Sequence, residues 1–213
     1  MTDLERFQHP RFARAYERIS AESERRGATA HRARMLSGLA GRVIEVGAGT
    51  GLNFTHYPDT VSEVVAVEPE DQLRARAEQA ATRAAVPVRV VAGHADALPA
   101  EDHTFDAAVT SLVLCSVPDP ARALAEIRRV LKPGGELRFY EHVRSTGAIR
   151  GTIEDLITPL WKRCGGGCHP NRHTDEAITA AGFHIDPLDR FLFRPLRFAP
   201  ASDHILGHAH NPA

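Results

Sequence analysis

Three glycines at alternate positions, Gly47, Gly49 and Gly51, close the apolar run Arg42-Val43-Ile44-Glu45-Val46, and no other feature constrains the chain as much. A loop leaving the carboxyl end of a parallel strand brings its backbone close to a ligand only where side chains are absent, and glycine also permits positive φ. A second strand-like run, Val64-Val65-Ala66-Val67, ends in Glu68, 17 residues beyond Gly51. A carboxylate there can accept from both hydroxyls of a ribose, so the pair points to an adenosine-type ligand. A dinucleotide fingerprint would need glycine where Leu52 stands, and no Gly-Lys-Ser/Thr end of a phosphate loop is present. An isolated loop of this kind is also an ordinary strand-to-helix turn, so the segments downstream must decide.

Those segments keep register. Val88 to Ala92 reads as a strand and leads into Gly93-His94-Ala95-Asp96-Ala97-Leu98-Pro99; Phe105 to Leu112 reads as another. An amphipathic helix then starts with Asp119 as N-cap and Pro120 in its first turn, sets Leu124, Ile127 and Leu131 on one face, and stops at Lys132-Pro133-Gly134-Gly135. Strands are predicted near 42–46, 63–67, 88–92, 105–110, 135–141, 183–189 and 204–209, and helices over 11–26, 29–38, 70–83, 120–131, 148–162 and 172–181. This alternation predicts an α/β fold whose mostly parallel sheet is covered on both faces, with its loops converging at the carboxyl edge.

In this order and spacing the runs resemble the motifs of the class I S-adenosylmethionine-dependent methyltransferases. The resemblance covers about Arg42 to Val143. It implies a Rossmann-like sheet of seven strands with the last antiparallel, S-adenosyl-L-methionine as cofactor with S-adenosyl-L-homocysteine as product, and no metal. It further implies that Glu45 and the amides of Gly47, Gly49 and Gly51 place the methionine moiety, Glu68 the ribose, and Asp96 with the Ala95 backbone the adenine, with Asn53 and Pro69 also at the cofactor. Ser111 and Leu112 then face the transferring methyl. A narrower stretch-by-stretch match, Glu45 to Tyr57, Ser111 to Val117, Tyr140-Glu141-His142-Val143 and His204 to Ala209, resembles the methyltransferase-like family of alkyl-thiol S-methyltransferases and its bacterial relatives. The implied acceptor is a small alkyl or hydrosulfide-type thiol. A quinone-like, phenolic or lipid-headgroup acceptor stays open, as do a nucleotide-dependent oxidoreductase and a non-catalytic cofactor sensor.

Eukaryotic members of that family carry an apolar amino-terminal anchor, whereas this chain opens Met1-Thr2-Asp3-Leu4-Glu5-Arg6 and has no apolar stretch near the ~20 residues of a membrane span. A cytoplasmic protein without an integral membrane anchor is expected, a monomer or weak dimer. At 213 residues, 43% hydrophobic, the chain suits one domain, with 1–41 as a helical cap over the cofactor and 144–181 as a helical lid near the acceptor. A formal charge of −1 gives no reason to expect nucleic acid. The arginines through Arg34 are interleaved with acids and read as a solvated helical face. Phe12, Tyr16 and Ile19 share one helical face; Tyr16 either packs there or lays its ring near a sulfonium.

The acceptor pocket is expected from Leu114 and Cys115 together with Leu156, Ile157, Leu160, Trp161 and Arg172, with Cys115 as packing rather than nucleophile. His142 is the candidate base, with Glu141 to orient it, although a thiol of pKa near 8.5 ionises in part unaided. Cys164 and Cys168, three residues between them, read as a structural loop: a zinc site needs four ligands, and a reducing cytoplasm disfavours a disulfide.

Overall fold

The computed structural model describes residues 4–212, and for Arg163 and Cys164 the backbone alone. After α1 (Pro10–Ser23) and α2 (Thr29–Leu36) come β1 (Gly41–Val46), β2 (Val61–Val67), α3 (Asp71–Ala81), β3 (Val88–Val91), β4 (Phe105–Ser111), α4 (Pro120–Val130), β5 (Leu131–His142), α5 (Ala148–Cys164), α6 (Thr174–Ala180), β6 (His184–Phe193) and β7 (Ser202–His210). The seven strands form one sheet in the order β3-β2-β1-β4-β5-β7-β6. β1 runs parallel to β2 and β4, β4 to β5, and β7 antiparallel to both β5 and β6, so the inversion expected of the last strand is present.

Val46 lies opposite both Val67 and Thr110, so the carboxyl ends of the central strands reach one edge together. From β1 the chain winds outward to β2 and β3, then returns to β4 on the other side, and the crevice at such a reversal is where open α/β sheets hold ligands. The core follows from alternation along each strand. Ile44, Val46, Val65 and Val67 pack with Leu124 and Ile127 of α4. Val43, Val64 and Ala66 pack on the other face with Met35 and Leu36 of α2.

Local chemistry sets the helix ends. Asp119 caps α4 by accepting from the Arg122 amide at 3.1 Å, with Pro120 in the first turn, as the sequence predicts. The single helix predicted over 11–26 instead ends at Ser23 and passes through a wide turn in which Gly27 takes φ 118°. That conformation suits glycine and separates α1 from α2.

α5 is inverted relative to expectation. Its buried positions include Glu154 and Thr158, while Leu156 and Leu160 are 76% and 69% exposed. Glu154 accepts from the Ser145 amide at 2.7 Å, which keeps its carboxylate inward. Leu156, Ile157 and Leu160 therefore face solvent and do not line an acceptor pocket.

Candidate active site

Gly47, Gly49 and Gly51 all take positive φ (70°, 57° and 80°) as the chain leaves β1. Their amides are already engaged: Gly47 donates to the Val67 carbonyl at 2.8 Å, Gly49 to Glu68 Oε2 at 2.7 Å, and Gly51 to the Ala48 carbonyl at 2.9 Å. A Cβ would stand 2.6 Å from Val113 Cγ2 at Gly47 and 2.6 Å from the Phe54 ring at Gly51, so these glycines make room for packed side chains rather than offer donors, which corrects the expectation that their amides hold a ligand. A Cβ on Gly49 would stand 3.3 Å from the Tyr16 hydroxyl, so the α1 ring lies directly over the loop.

Two buried carboxylates brace this loop. Glu68 accepts from Gly49 with one oxygen and from the Glu70 amide with the other at 3.0 Å; burial pushes it up to about 7 against the pull of these amides. A carboxylate oxygen has two lone pairs, so Glu68 keeps acceptor capacity. Glu45, 2% exposed, accepts from Asn53 Nδ2 at 2.9 Å and from the Tyr57 hydroxyl at 2.7 Å, and burial likewise raises it to about 7. Glu45 thus orients Asn53 and is corrected from a direct ligand contact. Asn53 Oδ1 in turn accepts from Arg32 at 3.0 Å, and the same guanidinium nitrogen reaches Ser111 Oγ at 2.8 Å. Arg32 is paired with Glu24 at 2.9 Å and ties α2 to the ends of β1 and β4, a role no local sequence signal assigned to it.

Beyond β3, Asp96 is 5% exposed, and its buried Oδ1 has no hydrogen-bond partner among the described residues while Oδ2 contacts Arg6 at 3.4 Å. Such an acceptor is costly unless something fills it. Neighbouring Ala95 is also buried, and Phe7 stacks on His94 with ring centroids 4.8 Å apart. Gln8 fastens the segment before α1 to the end of β2, donating to the Pro69 carbonyl at 2.8 Å and accepting from the Asp71 amide at 3.1 Å.

On the β4 side, Leu112 takes φ 61°, a conformation uncommon for a branched residue. It turns the loop so that the Val113, Leu114 and Cys115 amides all donate to the Glu141 carboxylate, at 3.1, 3.0 and 3.2 Å. Glu141 was expected to orient His142; it holds this loop instead. Leu114 is fully buried in the core, so it does not line a pocket. Arg172 donates to the Leu114 and Val117 carbonyls at 2.6 and 2.8 Å, and its guanidinium braces the same loop rather than facing an acceptor.

His142 stacks on His204 with centroids 5.1 Å apart, and its Nε2 is buried without a partner. Its Nδ1 lies 3.5 Å from Cys168 Sγ, which is 3.9 Å from Cys115 Sγ. Half-exposed Trp161 closes this corner, with a Cβ on Gly165 reaching 3.1 Å from its indole nitrogen. Cys168 was not among the expected site residues, and the Cys164 side chain lies outside the described residues. An open surface groove between α4 and α6, lined by His103, Arg129, Ala177 and Asn211, sits at the opposite edge of the sheet and contains none of these groups.

The geometry agrees with what the chain is similar to. The methyltransferase-domain family matches residues 44–139, which run from β1 into β5. Human thiol S-methyltransferase TMT1B is 35% identical over 184 residues, covering 82% of this chain and 73% of that protein. The chain belongs to the S-adenosylmethionine-dependent methyltransferases. The phosphatidylethanolamine N-methyltransferase of Cereibacter sphaeroides is 34% identical over 160 residues, covering 74% of this methyltransferase and 73% of that one. A solved Bacillus halodurans structure superposes with a TM-score of 0.72 over 87% of this chain and 99% of its own, at 18% identity, a likeness that speaks to the fold alone. Membership of the family implies S-adenosylmethionine as cofactor, and the unfilled buried acceptor of Asp96 fits it. Among the described residues no helix is long and apolar enough to cross a membrane.

Proposed function

We propose that this methyltransferase methylates the sulfur of a small alkyl or hydrosulfide-type thiol. The observation that carries the reading is the likeness to thiol S-methyltransferase TMT1B over 82% of the chain. The acceptor side, where the buried His142 Nε2 has no hydrogen-bond partner among the described residues, supports it. S-adenosylmethionine, when bound, supplies an electrophilic methyl on a sulfonium.

The residues divide the remaining work. Asp96 Oδ1 accepts from the adenine amine beside Ala95, and Glu68 accepts from the ribose hydroxyls next to Pro69. Gly47, Gly49 and Gly51 let the methionine portion lie on the backbone, while Arg32 positions Asn53 and Ser111 around it. Tyr16 covers the loop and offers its ring face to positive charge. Leu112 and Cys115 border the acceptor, and His142 Nε2 takes the thiol proton. Exclusion of water by these residues would favour displacement of the methyl from the cofactor's sulfonium by a thiolate, a reaction in which opposite charges vanish.

A lipid-headgroup amine is the second reading, favoured by the similarity to phosphatidylethanolamine N-methyltransferase. Incubating a panel of thiols, ethanolamine lipids, phenols and quinols with labelled donor decides between them. Label on thiols is expected; label confined to amines or ring positions overturns the thiol reading.

A further inference from the structure

Two thiols 53 residues apart in sequence meet beside His142. Their Sγ atoms are 3.9 Å apart, Cys115 being buried and Cys168 partly exposed. The backbone holds them there: the His169 amide donates to the Cys115 carbonyl at 2.8 Å, and a Cβ on Gly167 would approach the Ser116 carbonyl to 3.0 Å. Exposure and surroundings make the pair unequal. Contact with Cys115, then with His142 and the Trp161 indole, draws Cys168 down to about 5 in spite of its burial, whereas Cys115 is pushed up by Cys168 and by burial. A partly exposed thiol drawn toward its thiolate beside a fully buried thiol held in its protonated form is the arrangement of an attacking and a resolving cysteine.

We propose that Cys168 and Cys115 form a thiol–disulfide exchange couple that is oxidised by small organic disulfides and reduced by monothiols. The Cys168 thiolate attacks one sulfur of the disulfide, forming a mixed disulfide and releasing the first thiolate. Cys115 then attacks the Cys168 sulfur, its proton passing to the departing group, so that a second thiol leaves and the Cys115–Cys168 bond closes. Counted from the Cys168 thiolate, the chain loses two electrons and one proton; the first departing thiolate takes its proton from solvent, and the organic disulfide becomes two thiols. Closure ties the glycine loop after α5 to the loop after β4 and takes the Cys168 thiolate away from His142, so methyl transfer falls in the oxidised chain. The exchange needs no methyl donor and stands apart from the thiol-acceptor reading.

The test uses the full chain carrying Cys164→Ser, reduced and freed of reductant, then incubated with bis(2-hydroxyethyl) disulfide without S-adenosylmethionine. After alkylation, peptide mass mapping is expected to show loss of both remaining thiols, a Cys115–Cys168 cross-link, no retained hydroxyethylthio adduct, and full recovery with 2-mercaptoethanol. Adding Cys115→Ser should trap the adduct on Cys168, and adding Cys168→Ser should abolish the reaction. The cross-link is read in a chain with both cysteines intact, so a Cys115 variant that fails to fold leaves the test standing. An adduct retained on Cys168 with Cys115 present, no reaction, or pairing of Cys168 with Cys164 in the unsubstituted chain overturns the proposal. Failure to methylate thiols leaves this readout untouched and overturns only the acceptor assignment.

Discussion

Glu68 Oε2 accepts a hydrogen bond from the Gly49 amide across 2.7 Å, so the acid ending β2 sets the shape of the loop ending β1. With the proposed ribose contact, ligand binding and folding would be coupled at this residue. Glu68→Ala leaves the Gly49 and Glu70 amides unpaired and is expected to lower unfolding stability by about 1–3 kcal/mol. It should also weaken S-adenosylhomocysteine binding at least tenfold. Glu68→Gln, which keeps one acceptor oxygen, should lose less of both. Chemical denaturation and calorimetry measure the two effects, and unchanged affinity in Glu68→Ala removes the ribose assignment.

Asp96 presents the opposite case, a buried acceptor oxygen that none of the described residues engages. Asp96→Ala is expected to weaken donor and product binding by the same factor, about 2 kcal/mol for a hydrogen bond to a charged group, because the adenine is common to both. Calorimetric titration with each ligand checks this. A loss for the donor alone would place Asp96 near the sulfonium instead.

Tyr16 overlies Gly49, and its proposed contact with the sulfonium predicts discrimination by charge rather than shape. Replacing it with leucine should weaken S-adenosylmethionine more than S-adenosylhomocysteine by about 0.5–2 kcal/mol, the range for a cation over an aromatic face. Equal losses for the two would restrict Tyr16 to covering the loop.

His204 carries a pH dependence whose sign is fixed. Burial and the neighbouring His142 ring draw it down to about 3, from the ordinary 6.5. Between these values the unfolded chain binds a proton that the native chain refuses. Stability is thus fully present above about 6.5 and is lost toward pH 3, by up to about 1.4 kcal/mol per pH unit. Glu45 and Glu68, raised to about 7, act in the reverse sense above 4.5, where the native chain holds the extra protons. The measurement is therefore the difference between wild type and His204→Phe, a ring suited to the stack with Tyr140 and Phe191. Urea unfolding from pH 4.5 to 7.5 should show the variant gaining relative stability as pH falls. A flat difference would mean that His204 takes up its proton in the native state.

Much of the fold was legible because its signals are local. The glycine loop, the Asp119 cap and the order of the strands each sit within a few residues, and each fixes a backbone geometry. What escaped depends on direction and distance. Helical periodicity shows that α5 has an apolar face but not which way the face points, and buried Glu154 turns it outward. Nothing in the run of arginines marks Arg32 as the one whose guanidinium enters the site while Arg34 reaches outward to Asp189. Cys168 drew attention to Cys164 four residues away, yet the thiol it meets belongs to another loop. Glu141 looked like a partner for its neighbour His142, but adjacent residues on a strand point to opposite faces.

The turn at Gly27 leaves α1 joined to α2 through one residue of left-handed backbone, and α1 is the element that lays Tyr16 over Gly49. A ligand seated beneath Tyr16 is therefore expected to require α1 to move. If it does, the observed binding rate should level off as ligand concentration rises, whereas a rate that climbs linearly would mean an open approach.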